Sequence, residues 1–169
     1  MKNWIKKTIG NKDSSQKDWE KVLEKSKDFS RVYYNNQKNN MRFCITSIST
    51  LVDEKVIQEE ALPRLLEDEW NTIQDIKKVL PITDMEISTD PAKIEKKLLN
   101  GYFMLTIDHH EETFAFVSAQ KQVGRSVSPP EIEFSVIGPK EAFVESLSQN
   151  INLIRKRLPI KELIVEELT

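Results

Sequence analysis

"YFMLTIDHHEETFAFVSA", residues Tyr102–Ala119, is the stretch on which the fold turns. Its ends, "YFMLTI" and "TFAFVSA", are short and rich in aromatic and β-branched residues, and the polar "DHHEE" (108–112) parts them. Runs of that length and make-up are strands, and two of them joined by a short polar link are a hairpin. The preceding "DPAKIEKKLLNG" (90–101) has Asp90 placed as a helix N-cap and Pro91 at the first helical position. Ile94, Leu98 and Leu99 form its apolar stripe, and Asn100-Gly101 is its stop.

Towards the N-terminus, "MRFCITSIST" (41–50) is a further strand. "EKVIQEEALPRLLEDEW" (54–70) carries Val56, Ile57, Leu62, Leu65 and Leu66, which suits a helix that Pro63 either kinks or restarts. Ile73, Ile76, Val79 and Leu80 continue as a short helix that Pro81 ends. Trp19, Val22, Leu23, Ser26, Phe29 and Tyr33 recur at helical spacing behind a Ser15/Asp18 capping pair, until "NNQKNN" (35–40) breaks the pattern. Residues 1–14 read as a flexible tail and 15–169 as one lobe. Towards the C-terminus, "KQVGRSVSPP" (121–130) is a loop, "EIEFSVI" (131–137) a strand and "ELIVEEL" (162–168) a last strand. Interleaved helices and strands with one hairpin predict an α/β domain: a mixed sheet with packed helices.

A chain of 169 residues, 38% apolar and 31% charged, is long enough to bury a substantial core. The formal net charge of -2 points to neither nucleic acid nor an anionic membrane surface. The single cysteine, Cys44, excludes an internal disulfide and a multi-cysteine zinc site, and its apolar surroundings predict a buried small hydrophobe. No apolar run approaches the ~20 residues of a membrane helix, so the chain as given reads as soluble, in a reducing compartment.

"GPKEAFVESLSQNINLIRKRLP" (138–159) reads as one long helix. Gly138 is the expected N-cap, Pro139 the first helical residue, and Glu141 an anion in the first turn. Arg155, Lys156 and Arg157 place cations in the last turn. From Pro139 to Leu158 such a helix spans about 30 Å. Phe143, Leu147, Ile151, Ile154 and Leu158 share one side, which is expected to face the sheet. Ser146, Asn150 and Arg157 border that stripe, while Glu145, Gln149, Asn152 and Lys156 point to water. The polar border has two readings: it satisfies the backbone of a loop such as Arg125–Pro130, or it is a seam that docks another lobe or subunit.

The same block resembles the signature of the A subunits of GerA-family spore germination receptors. The matching residues are Arg125, Pro130, Gly138, Pro139, Lys140, Glu141, Phe143, Glu145, Leu147, Asn150, Ile151, Leu153, Ile154, Arg155 and Arg157. Lys140 stands where arginine is usual. "DPAKIEKKLLNGYFMLTID" and "MRFCITSISTLVDEKVIQEEALPRLLE" resemble two further elements of the family, so the likeness runs from about residue 28 to the end. The resemblance implies the first of two α/β lobes in a soluble N-terminal region, on the cytoplasmic side of a spore inner-membrane protein. It implies B and C subunits and other A subunits as partners, and Arg125, Gly138, Pro139, Glu141, Glu145, Asn150, Arg155 and Arg157 as interaction or structural residues.

The expected function is non-enzymatic: receptor assembly and signal relay in nutrient-triggered germination, with no cofactor, no metal and no nucleic acid. One alternative is a module that binds a nutrient or other small solute. A second is a metal-dependent hydrolase using His109, His110 and Glu111, which the diverging directions of adjacent turn residues disfavour. Walker-type and dinucleotide glycine patterns and the nucleophile elbow are absent from the sequence.

Overall fold

The structure, a computed structural model, describes residues 18–108, 112–121 and 143–167. Five strands, β1 (Phe29–Asn35), β2 (Arg42–Ile48), β3 (Met85–Ser88), β4 (Tyr102–Ile107) and β5 (Phe114–Ser118), form one sheet in the order β1-β2-β4-β5-β3. Each of these pairings is antiparallel. The predicted hairpin is β4–β5, with Tyr102 opposite Ser118 and Leu105 opposite Ala115. The predicted α/β class with packed helices is the architecture adopted, but the sheet expected to be mixed is antiparallel throughout among the described residues.

Alternating residues of the central strands build two cores. On one face Phe43, Ile45, Phe103, Leu105, Ile107, Ala115 and Val117 pack against the segment from Val52 to Leu80. That segment holds a π-helical turn (Val56–Ala61), helix α2 (Leu62–Glu67), a 3-10 turn (Ile73–Asp75) and helix α3 (Ile76–Val79). On the other face Ile48, Met104, Phe114 and Phe116 pack against helix α1 (Asp18–Leu23) and helix α4 (Ala92–Leu99), through Trp19, Leu23, Ile94, Leu98 and Leu99. Cys44 is buried, as its surroundings predict.

Pro63 resets the helix, lying in the first turn of α2, one of the two outcomes expected of it. The widened turn before it, in which the Leu62 N–H bonds the Ile57 carbonyl, carries the chain into α2 with Pro63 in the first turn. A proline cannot donate to the preceding turn, and an i→i+5 turn absorbs that mismatch. The buried Asn36 ties the loop after β1 to this layer. Its amide donates to the carbonyls of Leu65 and Asp68 at 2.8 Å, and its oxygen accepts from the backbone of Lys38 and Asn39. Asp90 Oδ1 accepts from the Ala92 N–H at 3.0 Å, opening α4 as expected. Gly101 ends it at φ +76, where an added Cβ would lie 2.9 Å from the Leu51 carbonyl oxygen.

Three further expectations need correction. The helical spacing from Trp19 to Tyr33 is not one helix: α1 ends at Leu23, and Phe29–Asn35 is the edge strand β1, paired along its length with β2. Strand β3 lies in a stretch that carried no strand signal. "ELIVEEL" forms no strand among its described residues. Residues 163–167 have no ladder, and Val165 instead exchanges bonds with Ser26 and Lys27. The "DHHEE" residues His109, His110 and Glu111, the strand expected at 131–137, and the helix start at Gly138, Pro139 and Glu141 lie outside the described residues.

Candidate functional site

Helix α5 (Leu147–Arg157) begins eight residues after Pro139, the start expected for a single long helix. Residues 143–146 are not helical, because local polar side chains hold them otherwise. Ser146 is the N-cap, its Oγ accepting from the Gln149 N–H at 3.4 Å. Asn150 accepts from the Val144 N–H at 2.8 Å and donates to the Val144 carbonyl at 2.7 Å, folding that segment back along the helix.

The orientation of α5 is rotated from the expected one. Leu147 is 72% exposed, as are Phe143 (71%) just before the helix and Leu158 (52%) just after it, while Ile151 and Ile154 of the same stripe are half-buried. Asn152, expected in water, and Arg155, placed at the helix C-terminal end and among the interaction or structural residues, are its two buried residues, both at 0% exposure. They sit three residues apart on one face of the helix. A periodicity argument puts the apolar side on the core. Here a carboxylate far away in sequence overrides it.

That carboxylate is Asp28, in the turn between α1 and β1. The sheet sets its place: Phe29 pairs with Ile48, and the Ser49 N–H bonds the Asp28 carbonyl at 2.7 Å. Arg155 meets Asp28 as a fork, Nε to Oδ2 at 2.6 Å and Nη2 to Oδ1 at 2.7 Å. Ser26 Oγ and Thr50 Oγ1 each donate to one Asp28 oxygen at 2.6 Å. Arg155 Nη2 also donates to Ser26 Oγ at 3.0 Å, and the Val165 N–H to the same oxygen at 2.8 Å. Asn152 Nδ2 donates to the Thr50 carbonyl at 2.6 Å. Two short chain segments and the C-terminal part thus meet at one polar node.

Burial pushes the Asp28 carboxyl up, but hydrogen bonds from Arg155, Ser26 and Thr50, with the arginine charge, outweigh it and hold the group below the usual carboxylate range. The bidentate geometry is one that lysine cannot supply. With Asp28 committed to four donors, the node orders the chain and offers no general base. Among the described residues no cluster of histidine, cysteine, aspartate and glutamate could hold a metal ion.

Of the other residues singled out, Glu145 and Arg157 are exposed, and Asn150 is half-buried. Arg157 lines a groove of about 290 Å³ with Phe143, Leu153, Ile154 and Leu158. Arg125 lies outside the described residues, as does the Arg125–Pro130 loop expected to receive Asn150. The reading of the sequence missed Ser26, Asp28, Thr50 and Asn152. The one available signal was two polar residues, Asn152 and Arg155, at i,i+3 spacing. A second groove, about 480 Å³, lies on the far side of α4 and is lined by Glu86, Lys93, Lys96, Lys97, Asn100, Tyr102 and Gln120. There Lys93 and Lys97 grip Glu86 at 2.6 and 2.8 Å and lower its pKa to about 2.

The family model described as Bacillus/Clostridium GerA spore germination protein matches residues 17–169. Spore germination protein GerQA of Bacillus cereus is 35% identical over 158 residues, covering 94% of this chain and 31% of that protein. Spore germination protein GerIA of Bacillus cereus is 32% identical over 146 residues, 86% of this chain and 22% of its own. This chain therefore spans less than a third of the length of these relatives. The N-terminal domain of the A subunit of the Bacillus megaterium spore germinant receptor GerK3, known from a crystal structure, shares the fold. The TM-score is 0.65 at 19% identity, over 89% of this chain and 55% of that one. On the family match over nearly its whole length, the chain belongs to the GerA family of spore germination proteins.

Proposed function

We propose that this chain is a non-enzymatic domain of a nutrient germinant receptor A subunit, serving receptor assembly and signal relay. Residues 15–169 are then the first lobe of a two-lobe region on the cytoplasmic side of a spore inner-membrane protein. The B and C subunits and other A subunits are its partners. The observation that carries this reading is the exposed apolar group at the start of α5, where Leu147 and the preceding Phe143 are each more than two-thirds exposed, in a chain with the family match reported above. Large exposed apolar groups that lie close together mark an interaction site.

The test is Leu147→Asp in a full-length A subunit carrying this region. Because Leu147 is exposed, the stability of the isolated domain should change by no more than about 0.5 kcal/mol. Co-purification of the B and C subunits from spore membranes, and the response to nutrient, should both fall at least tenfold. Normal assembly and normal germination would remove the support for this reading.

The lysine-lined groove beside α4 favours a second reading, a module binding an acidic solute. A thermal-shift series with amino acids, sugars and inorganic anions separates the two. A native-state ligand raises the melting temperature in proportion to its saturation, and Lys96→Ala with Lys97→Ala should abolish the shift.

A further inference from the structure

We propose that α5 and the segment after it, Leu147–Val165, form a strap that opens as one unit while the sheet and its two cores stay folded. The inference concerns the folding of this chain and stands apart from the receptor reading.

Its first support is what holds the strap down. Among the described residues neither core cluster contains one beyond Ala119. The fully buried side chains of α5 are Asn152 and Arg155, while Ile151, Leu153, Ile154, Leu163, Ile164 and Val165 are only partly buried. The hydrogen-bonded and ionic ties hold the strap's register. Besides the node, Lys121 Nζ donates to Ser148 Oγ at 3.2 Å, and Lys156 Nζ to the Lys121 carbonyl at 2.9 Å. Lys161 pairs with Glu95 at 3.3 Å, and the Lys27 N–H bonds the Val165 carbonyl at 2.9 Å. Polar groups regain hydrogen bonds to water when they separate, and both ions of a buried pair regain their hydration. Apolar surface recovers nothing of the kind. Opening the strap therefore forfeits far less than opening the sheet.

The second support is that the docked state is itself incompletely satisfied. Arg155 Nη1 and Asn152 Oδ1 are both buried and both without a hydrogen-bond partner. A buried donor and a buried acceptor left unmade raise the free energy of the closed form relative to the open one. The remaining bonds of the same two side chains define a single closed geometry, because the arginine fork fits only where Ser26, Asp28 and Thr50 stand together. These are the marks of a low-stability cooperative unit: no fully buried apolar side chain, polar attachment and one discrete docked arrangement.

Hydrogen exchange read by mass spectrometry on the 169-residue chain at pH 7 tests the proposal. Strap amides at 149–158 should exchange together and at least 100-fold faster than those of β2 and β4. Low concentrations of urea should accelerate the strands more steeply than the strap, since strap opening exposes little surface. Arg155→Met and, separately, Asp28→Asn should each speed strap exchange at least tenfold. Leu105→Ala, which opens a void in the core and leaves the node intact, should speed β2 and β4 at least tenfold and leave strap amides within threefold. Strap and strands sharing one opening rate in the unsubstituted chain would overturn the proposal. So would a Leu105→Ala chain in which strap and strands speed equally.

Discussion

Replacing Arg155 by methionine keeps most of the side-chain volume and deletes the charge. Asp28 is then left in a site where its carboxylate has lost two bonds, at 2.6 and 2.7 Å, and its only counter-ion in the node. Removing one partner of a buried ion pair costs about 3–5 kcal/mol. Undocking of the strap lets water reach Asp28 and limits the loss, so a value near about 3 kcal/mol is expected at pH 7. The pH dependence carries the sharper content. In the unsubstituted chain the Asp28 pKa is depressed, so its contribution is complete above the ordinary carboxylate pKa and is lost as pH falls through the lower folded value. Between pH 7 and pH 5 that contribution is constant. Without the arginine, burial, the largest single influence on Asp28, is opposed only by the Ser26 and Thr50 hydrogen bonds, and the pKa rises. Protonation then relieves the docked state as pH falls, so the loss caused by Arg155→Met must be smaller at pH 5 than at pH 7. Urea unfolding of both proteins at the two pH values, with a common m-value, measures this directly. A loss below about 1 kcal/mol at pH 7, or an equal loss at both, would refute the assignment of Arg155 as the partner of a buried, ionised Asp28.

Asn152→Ala orphans the Thr50 carbonyl and should lower urea stability by about 1–3 kcal/mol, whereas Asn150→Ala, whose bonds to Val144 are solvent-exposed, should cost about 1 kcal/mol or less. Gly101→Ala puts a Cβ at a positive φ and against the Leu51 carbonyl, so a thermal melt should register a loss greater than about 1 kcal/mol. Asn36→Ala removes four hydrogen bonds from one buried side chain and should cost about 2–3 kcal/mol, with loss of the near-ultraviolet signal of Trp70, whose carbonyl is held by the neighbouring Asn39.

Local chemistry made much of the sheet legible. The hairpin shows itself because two short apolar runs flank a polar link, and α4 because Asp90 opens it and Gly101 closes it. The helices from Val56 to Val79 follow from apolar spacing, although that spacing does not distinguish the π-helical turn before Pro63 from an ordinary one. Strand β1 was hidden because Trp19, Val22, Leu23, Ser26 and Phe29 happen to keep helical intervals across the turn at Ser26–Asp28. Pairing with β2 decides that segment, and pairing is a tertiary fact. The node was illegible for the same kind of reason. Polarity assigned Asn152 to solvent and Arg155 to the helix end, and nothing near either residue announces a carboxylate 127 positions away. The rotation of α5 follows directly, since burying Asn152 and Arg155 turns Leu147 towards solvent and leaves Ile151 and Ile154 only half-buried.

That separation also orders events during synthesis. At about 5–20 residues per second, Asp28 is made about 6–25 s before Arg155. All five strands of the sheet are in place along the chain before the arginine is added. Once the strands have formed and until the arginine is added, Ser26, Asp28 and Thr50 stand at the margin of a sheet that is free to settle its register. The last-made part of the chain therefore acts as a gauge: the guanidinium fork closes only on strands β1 and β2 that have already paired Phe29 with Ile48, and a slipped ribosomal product finds no clasp.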